Sequence, residues 1–123
     1  MVKKVLIADD EPNILISLEF LMKREGHAVS VARDGDETLA AIRRERPDLV
    51  LLDVMMPGRS GFDVCQAVRA DPELAGVKIV MLTAKGRATD LAKGTALGAD
   101  AYIMKPFSTH DLAARVRELL GLA

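Results

Sequence analysis

The feature that most constrains the fold is an apolar run ending in an acid near the middle of the chain. Residues 49–52 are all apolar, Asp53 follows them, and Pro57 and Gly58 come shortly after. An uninterrupted apolar run is typical of a strand buried on both faces at the centre of a parallel sheet. Pro and Gly then predict a loop. A carboxylate is therefore expected where a central strand leaves the core, and in open α/β sheets ligands bind at that end.

The rest of the chain alternates between short apolar runs and stretches with helical spacing. Strands are predicted at residues 5–8, 28–32, 49–52, 77–82 and 101–104, and helices at 12–26, 34–46, 60–71, 86–97 and 108–120. Strands alternating with helices predict an α/β fold, (βα)5 and doubly wound, in which right-handed crossovers place helices on both faces of a parallel sheet. The first and third strands are the most apolar and should be central. The predicted strand order is 2-1-3-4-5, with residues 28–32 at an edge.

Local signals refine the helices. Three of them should begin at side-chain caps, each with an acid three residues later. These pairs are Asp34 with Glu37, Ser60 with Asp63, and Ser108 with Asp111. The stretch 86–97 lacks such a cap and carries Gly94, so we expect it to be the least stable helix and to move when the protein is activated.

Composition indicates the class of protein. The 123 residues fit one domain, and we expect residues 1–123 to form it. The net charge of −1, with both signs mixed, gives no reason to expect nucleic-acid binding by this domain. No stretch is apolar enough for a membrane span, and a single cysteine fits a reducing compartment, so we expect a cytoplasmic protein. That cysteine, Cys65, should lie in the core, whereas His27 and His110 should lie on the surface.

The predicted strand ends carry the residues that could do chemistry. These are Asp9, Asp10, Asp53, Thr83 and Lys105. Neighbouring carboxylates repel one another, and one lysine cannot neutralise three of them, whereas Mg2+, or alternatively Mn2+, can. A metal beside a hydroxyl and an ammonium suits phosphoryl transfer. Asp53 can act as the nucleophile by forming an aspartyl phosphate.

Each of these residues also has a simpler structural interpretation. Asp10 could be only the N-cap before Pro12, and Thr83 could cap a helix. Asp53 could be a polar strand terminus, and Lys105 a solvated turn residue. A nucleotide or flavin fold of similar topology is disfavoured, because no glycine-rich loop follows the first strand.

In combination, these motifs resemble the receiver domain of bacterial two-component response regulators, the single-domain chemotaxis type included. The resemblance covers essentially the whole chain and implies a flavodoxin-like receiver fold. The matching pieces are Asp9-Asp10, Asp53 followed by Met56-Pro57-Gly58, Thr83-Ala84, Gly98-Ala99-Asp100 and Lys105-Pro106-Phe107.

The resemblance implies a role for each matching residue. Asp53 would accept a phosphoryl group from a histidine kinase or phosphotransfer protein. The Mg2+ ligands would be Asp10, Asp53 and the carbonyl of Met55, with Asp9 acting through water. The phosphoryl oxygens would be bound by Lys105, the Thr83 hydroxyl and the backbone N–H groups of Met55 and Ala84.

The resemblance also implies a switch. Tyr102 would swing inward as Thr83 moves, although it could be ordinary half-buried packing. The Lys105–Pro106 bond would be cis. The fourth helix, fifth strand and fifth helix would form the face whose affinity for an unknown downstream partner changes. The chain would be a monomer or weak dimer.

Three functional classes remain open at this point. The first is a signalling switch, not a metabolic enzyme, that catalyses only its own Mg2+-dependent phosphorylation and slow dephosphorylation, with Met55 and Lys85 screening the phosphate from water. The second is a phosphohydrolase, which would need a second acid where Met55 stands. The third is a binding module that never turns over phosphate.

Overall fold

The computed structural model describes residues 2–84 and 97–122. In this part of the chain one parallel sheet is formed by β1 (Lys4–Ala8), β2 (Ala28–Ala32), β3 (Leu49–Asp53), β4 (Lys78–Ala84) and β5 (Ala101–Lys105). The helices are α1 (Pro12–Arg24), α2 (Gly35–Glu45), α3 (Gly61–Arg69), a short 3-10 helix (Pro72–Leu74) and α4 (Thr109–Leu119). All but the last residue of the helix predicted over 86–97 lie outside the described residues.

The strand order is β2-β1-β3-β4-β5, as predicted, with every pairing parallel. All five residues of β3 are buried, which fits its apolar sequence and its central place. β2 lies at one edge, and most of its residues are exposed or half-buried, as the alternating sequence predicted. Asp53 therefore lies on the central strand β3, between β1 and β4, and the edge strand β2 does not pair with β3.

The core consists of two apolar layers, one on each face of the sheet. One layer includes Leu39 and Ile42 of α2 with Val64 and Val68 of α3. The other contains residues of α1 and α4, among them Leu18, Met22, Leu112 and Val116. Cys65 is fully buried in the first layer, so the prediction of a core cysteine is confirmed. None of the described helices is long and apolar enough to cross a bilayer.

The predicted helix caps are present. Asp34 Oδ1 accepts the Glu37 N–H at 2.8 Å, and Ser108 Oγ accepts the Asp111 N–H at 3.2 Å. Ser60 and Asp63 form a reciprocal capping box, since each side chain accepts the other residue's backbone N–H. These caps satisfy backbone donors that a helix start leaves unpaired, and they fix where α2, α3 and α4 begin.

The prediction that His27 lies on the surface is wrong. Its N–H donates to Met22 O, and the chain then enters β2 directly, which draws the ring into the protein so that only 7% of the residue is exposed. Both ring nitrogens are buried, with no hydrogen-bond partner among the described residues. Burial lowers the pKa of His27 although the nearby charges of Glu25 and Asp48 oppose the change. His110 is exposed, as predicted.

Candidate functional site

The carboxyl ends of four neighbouring strands bring the predicted site residues to one edge of the sheet. Ala8 pairs with Leu52, so Asp9, which follows β1, is level with Asp53, the last residue of β3. Asp53 pairs with Leu82, directly before Thr83 in β4. In turn, Ala84 pairs with Lys105 at the end of β5. The register therefore places these residues side by side.

Three carboxylates converge at this edge. One oxygen each from Asp9, Asp10 and Asp53 lie within 4.8 Å of one another. Asp9 is fully buried and Asp53 is 6% exposed, whereas Asp10 faces the solvent. Burying carboxylates this close together is costly unless cations or hydrogen-bond donors compensate them.

Asp9 is compensated by the chain itself. Its Oδ1 accepts the Glu11 N–H at 2.9 Å, and its Oδ2 accepts a hydrogen bond from Lys105 Nζ at 2.8 Å. Glu11, not Asp10, is the N-cap residue of α1, and it makes no side-chain capping bond. The simpler interpretation of Asp10 as a helix cap is therefore wrong, and its exposed carboxylate is directed to the cluster instead.

Lys105 bridges two of the acids. Its Nζ lies 2.8 Å from Asp9 Oδ2 and 3.4 Å from Asp53 Oδ1. Burial acts to lower the pKa of Lys105, but the hydrogen bond to Asp9 and the charge of Asp53 outweigh it, and the pKa is raised. The ammonium is therefore held charged at this edge, so Lys105 is not a solvated turn residue. The Lys105–Pro106 peptide bond, predicted to be cis, is cis.

Asp53 is left with too little compensation. Burial and the charge of Asp9 raise its pKa to about 6, against the opposing effects of Lys105 and of the Met55 N–H, which donates to Asp53 Oδ1 at 3.4 Å. Carboxylate oxygens are the ligands that small divalent cations such as Mg2+ prefer. The donor set and the deficit of positive charge therefore fit such an ion.

The other predicted residues lie on β4, on β5 and in the loop after β3. Thr83 is buried in β4, beside Leu82, whose carbonyl accepts the Val54 N–H. The Met55 residue is 62% exposed, in the loop that follows Asp53. Tyr102 is half-buried on β5 and packs against the layer formed with α2 and α3.

Sequence reasoning missed a contact beside the site. The loop after Asp53 rests on the start of α2, where the Gly35 N–H donates to Pro57 O at 3.1 Å. Arg59 Nε also forms an ion pair with Asp36 Oδ1 at 2.7 Å. The sequence signals were a glycine at the start of a helix and opposite charges far apart, and neither specifies a tertiary contact.

Known proteins resemble this chain both in sequence and in fold. Residues 5–117 match the response regulator receiver domain family. The DNA-binding response regulator MtrA of Mycolicibacterium smegmatis is 48% identical over 120 residues, covering 98% of this chain and 51% of that protein. MtrA of Mycobacterium leprae is also 48% identical, over 52% of its length. The chain thus spans about half the length of the curated relatives it matches.

Solved structures agree. The chemotaxis response regulator CheY4 of Vibrio cholerae superposes with a TM-score of 0.90 at 31% identity, covering 97% of this chain and 99% of that one. A CheY-like response regulator receiver domain protein from Methanospirillum hungatei gives 0.91 at 32% identity, covering 98% and 95%. The chain therefore belongs to the response regulator receiver domain family, whose members are phosphorylation-activated switches of two-component systems and not metabolic enzymes.

Proposed function

We propose that Asp53 is the phosphate acceptor of this receiver. The observation that carries the proposal is the position of its carboxylate. It lies at the end of the central strand, 3.4 Å from an ammonium, with two further acids in the same cluster. A carboxylate whose pKa is raised to about 6 is still ionised at neutral pH and can attack phosphorus.

The cation site is proposed to consist of Asp10, Asp53 and the main-chain carbonyl of Met55, with Asp9 acting through water. Asp10 supports this assignment because it is exposed and is not used as a cap. Asp9 supports an indirect role because both of its oxygens already accept hydrogen bonds. Mg2+, or Mn2+ in its place, would neutralise charge on the transferring phosphoryl group.

The remaining residues are proposed to bind the phosphoryl oxygens. Lys105 is charged and bridges Asp9 and Asp53, so its ammonium can pair with a phosphoryl oxygen once Asp53 is phosphorylated. The Thr83 hydroxyl and the backbone N–H groups of Met55 and Ala84 would donate to the other oxygens. Thr83 and Ala84 are held in β4, so these donors need little rearrangement during transfer.

The donor is proposed to be a histidine kinase or a phosphotransfer protein in the cytoplasm. The phosphorus–nitrogen bond of its phosphohistidine breaks, a bond from Asp53 Oδ to phosphorus forms, and the imidazole takes up a proton. The domain would then catalyse slow hydrolysis of its own aspartyl phosphate.

The output is proposed to be protein binding by a monomer or weak dimer. Movement of Thr83 would be coupled to Tyr102 and would change a face that includes β5 and α4, the helix predicted at residues 108–120. A groove of about 500 Å3 between these two elements, lined in part by Tyr102, Met104 and Arg115, supports this location. Binding of DNA, which the name of MtrA states for that protein, is not proposed for this domain.

The proposal is tested with a small phosphoramidate donor and Mg2+, by measuring incorporation of phosphate by mass spectrometry. The wild-type protein should be phosphorylated once, and chelation of Mg2+ should abolish the reaction. Asp53→Asn should not react.

The matched control is Asp48→Asn, at the opposite end of the same apolar stretch, where Asp48 accepts the Lys4 N–H. It should react as the wild type does. Phosphate on Asp53→Asn, or full reaction without a divalent cation, would show that the assignment is wrong.

A further inference from the structure

The loop that carries Met55 is closed on itself. Residues 54–60 are here called the site loop. The two ends of this loop lie close together, since the Gly61 N–H donates to Val54 O at 2.9 Å. A Cβ on Gly61 would overlap Asp53 O and lie 2.9 Å from Val54 Cα. Only a glycine allows the start of α3 to approach the end of β3 this closely.

The middle of the site loop is held by another element. It rests on the first turn of α2, where the Gly35 N–H donates to Pro57 O. Gly35 is buried, and a Cβ there would overlap Arg59 O and lie 2.6 Å from the Arg59 carbonyl carbon. The obstacle is main chain, which cannot move aside without displacing the loop.

Gly35 has no other local reason to be glycine. Its φ is not in the left-handed region, unlike that of Gly58, whose φ is +74°. At the first position of a helix, other residues adopt the same conformation, and alanine has the higher helix propensity. The close approach to Arg59 is therefore what requires glycine at this position.

The side-chain contact beside it is weaker. The Asp36–Arg59 ion pair is 2.7 Å long, but the two side chains are 69% and 52% exposed. Solvent screens such pairs and reduces their contribution. The main-chain contact at Gly35, and not the ion pair, therefore sets where the site loop lies.

We propose that Gly35 is a positioning residue for the cation site: by letting α2 contact the site loop, it fixes the Met55 carbonyl relative to Asp10 and Asp53. This inference rests on the proposed function, which makes that carbonyl a ligand. Gly35 would touch neither the ion nor the phosphoryl group, and it would act only through the loop.

The first experiment compares Gly35→Ala with Gly76→Ala, a glycine with open space around the added Cβ and no left-handed φ. Isothermal titration with MgCl2 should show binding weakened roughly tenfold in Gly35→Ala, as is typical when an outer support of a metal site is lost. Gly76→Ala should match the wild type. Phosphorylation of Gly35→Ala should need more Mg2+ but reach the wild-type rate at saturation, a split that simple unfolding would not give.

The second measurement uses the wild-type protein, so it decides the matter even if Gly35→Ala does not fold. Addition of MgCl2 should slow amide exchange at Gly35 together with the site loop. Exchange at Val77, whose N–H donates to Leu74 O at the other end of the sheet, should not change.

The outcomes separate the two ideas. Wild-type Mg2+ affinity in Gly35→Ala, or no change in exchange at Gly35 when the site loop becomes protected, would overturn the positioning role alone. Failure of the wild-type protein to bind Mg2+ would overturn the proposed function, and the positioning role with it.

Discussion

The burial and the neighbouring charge that would favour reaction of Asp53 also lower the stability of the fold. Its pKa rises from 3.8 to about 6 on folding, mainly because burial disfavours the charge. The folded protein therefore holds this proton more tightly than the unfolded chain does. The contribution of Asp53 to stability is therefore most favourable below its unfolded pKa and is lost as the pH rises through about 6. The side chain proposed to accept phosphate thus weakens the cation-free fold at neutral pH.

The Asp53→Asn variant should accordingly be more stable than the wild type without divalent cations. We expect a gain of about 1 to 3 kcal/mol at pH 7 that shrinks towards pH 4, where both proteins carry a neutral side chain. Urea unfolding at several pH values in EDTA measures the difference. Added MgCl2 should narrow it by stabilising the wild type; a difference independent of pH would contradict the argument.

Met55 is a second residue whose replacement tests the site. Its side chain is exposed, two residues beyond Asp53, where it can shield an aspartyl phosphate from water. We expect Met55→Ala to shorten the phosphate lifetime several-fold without impairing phosphorylation, since the proposed binding role of this residue uses only its main chain. Loss of phosphate from purified protein over time measures it, with exposed Ile16→Ala as the control. A wild-type half-life of seconds would contradict the slow hydrolysis predicted for this chain.

The side chain of Arg69 joins α3 to the turn before β5. Arg69 Nε donates to Gly98 O at 2.9 Å, and Arg69 Nη2 pairs with Asp100 Oδ2 at 2.7 Å. The same Asp100 oxygen accepts the Ile79 N–H at 2.7 Å, at the start of β4. One arginine therefore joins a helix, a turn and a strand.

Replacement of Arg69 should loosen that junction. Arg69→Met keeps an apolar stem but removes the donors, and we expect it to lower the free energy of unfolding by about 1 to 2 kcal/mol. Arg43→Met, on the exposed side of α2, should change stability little. Equal losses in the two variants, measured by thermal unfolding, would show that only the general loss of charge matters.

The elements themselves were predictable because their signals are local. Apolar runs specified β1 and β3, and capping residues such as Asp34 and Ser60 marked the helix starts. The contacts between elements were not predictable in the same way. Burial of His27 depends on how the chain turns into β2. The contact of Gly35 with Arg59 joins two parts of the chain that are distant in sequence, so no local signal specifies it.

The strand order of the sheet followed from the alternation of strands and helices. The position of the site at one edge of the sheet followed from the acids at the strand ends. The pairing within that edge did not. The role of Lys105 towards a phosphoryl group stays a prediction, and the sequence did not show that this residue would pair most closely with Asp9, which needs a counter-charge because it is fully buried. The sequence shows which groups meet, whereas burial decides which of them pair.

The first and last helices are also joined across the whole chain. Glu25, after α1, accepts a hydrogen bond from Arg117 of α4 at 2.6 Å, which lowers the pKa of Glu25 although burial acts in the opposite direction. An acid whose pKa is lowered by folding stabilises the fold at pH values above its unfolded pKa. This contribution is lost as the pH falls through its folded pKa. Glu25→Gln should therefore be less stable than the wild type at pH 7, with the gap closing below pH 4.5. Thermal unfolding across this range tests it, and a constant gap would contradict it.

The bond between Lys105 and Asp9 spans 96 positions of the chain. During synthesis Asp9 and Asp53 therefore leave the ribosome well before the ammonium of Lys105. An unfinished polypeptide thus presents carboxylates without their cationic partner. A kinase that requires the assembled corner would not act on a chain in which Lys105 has yet to appear.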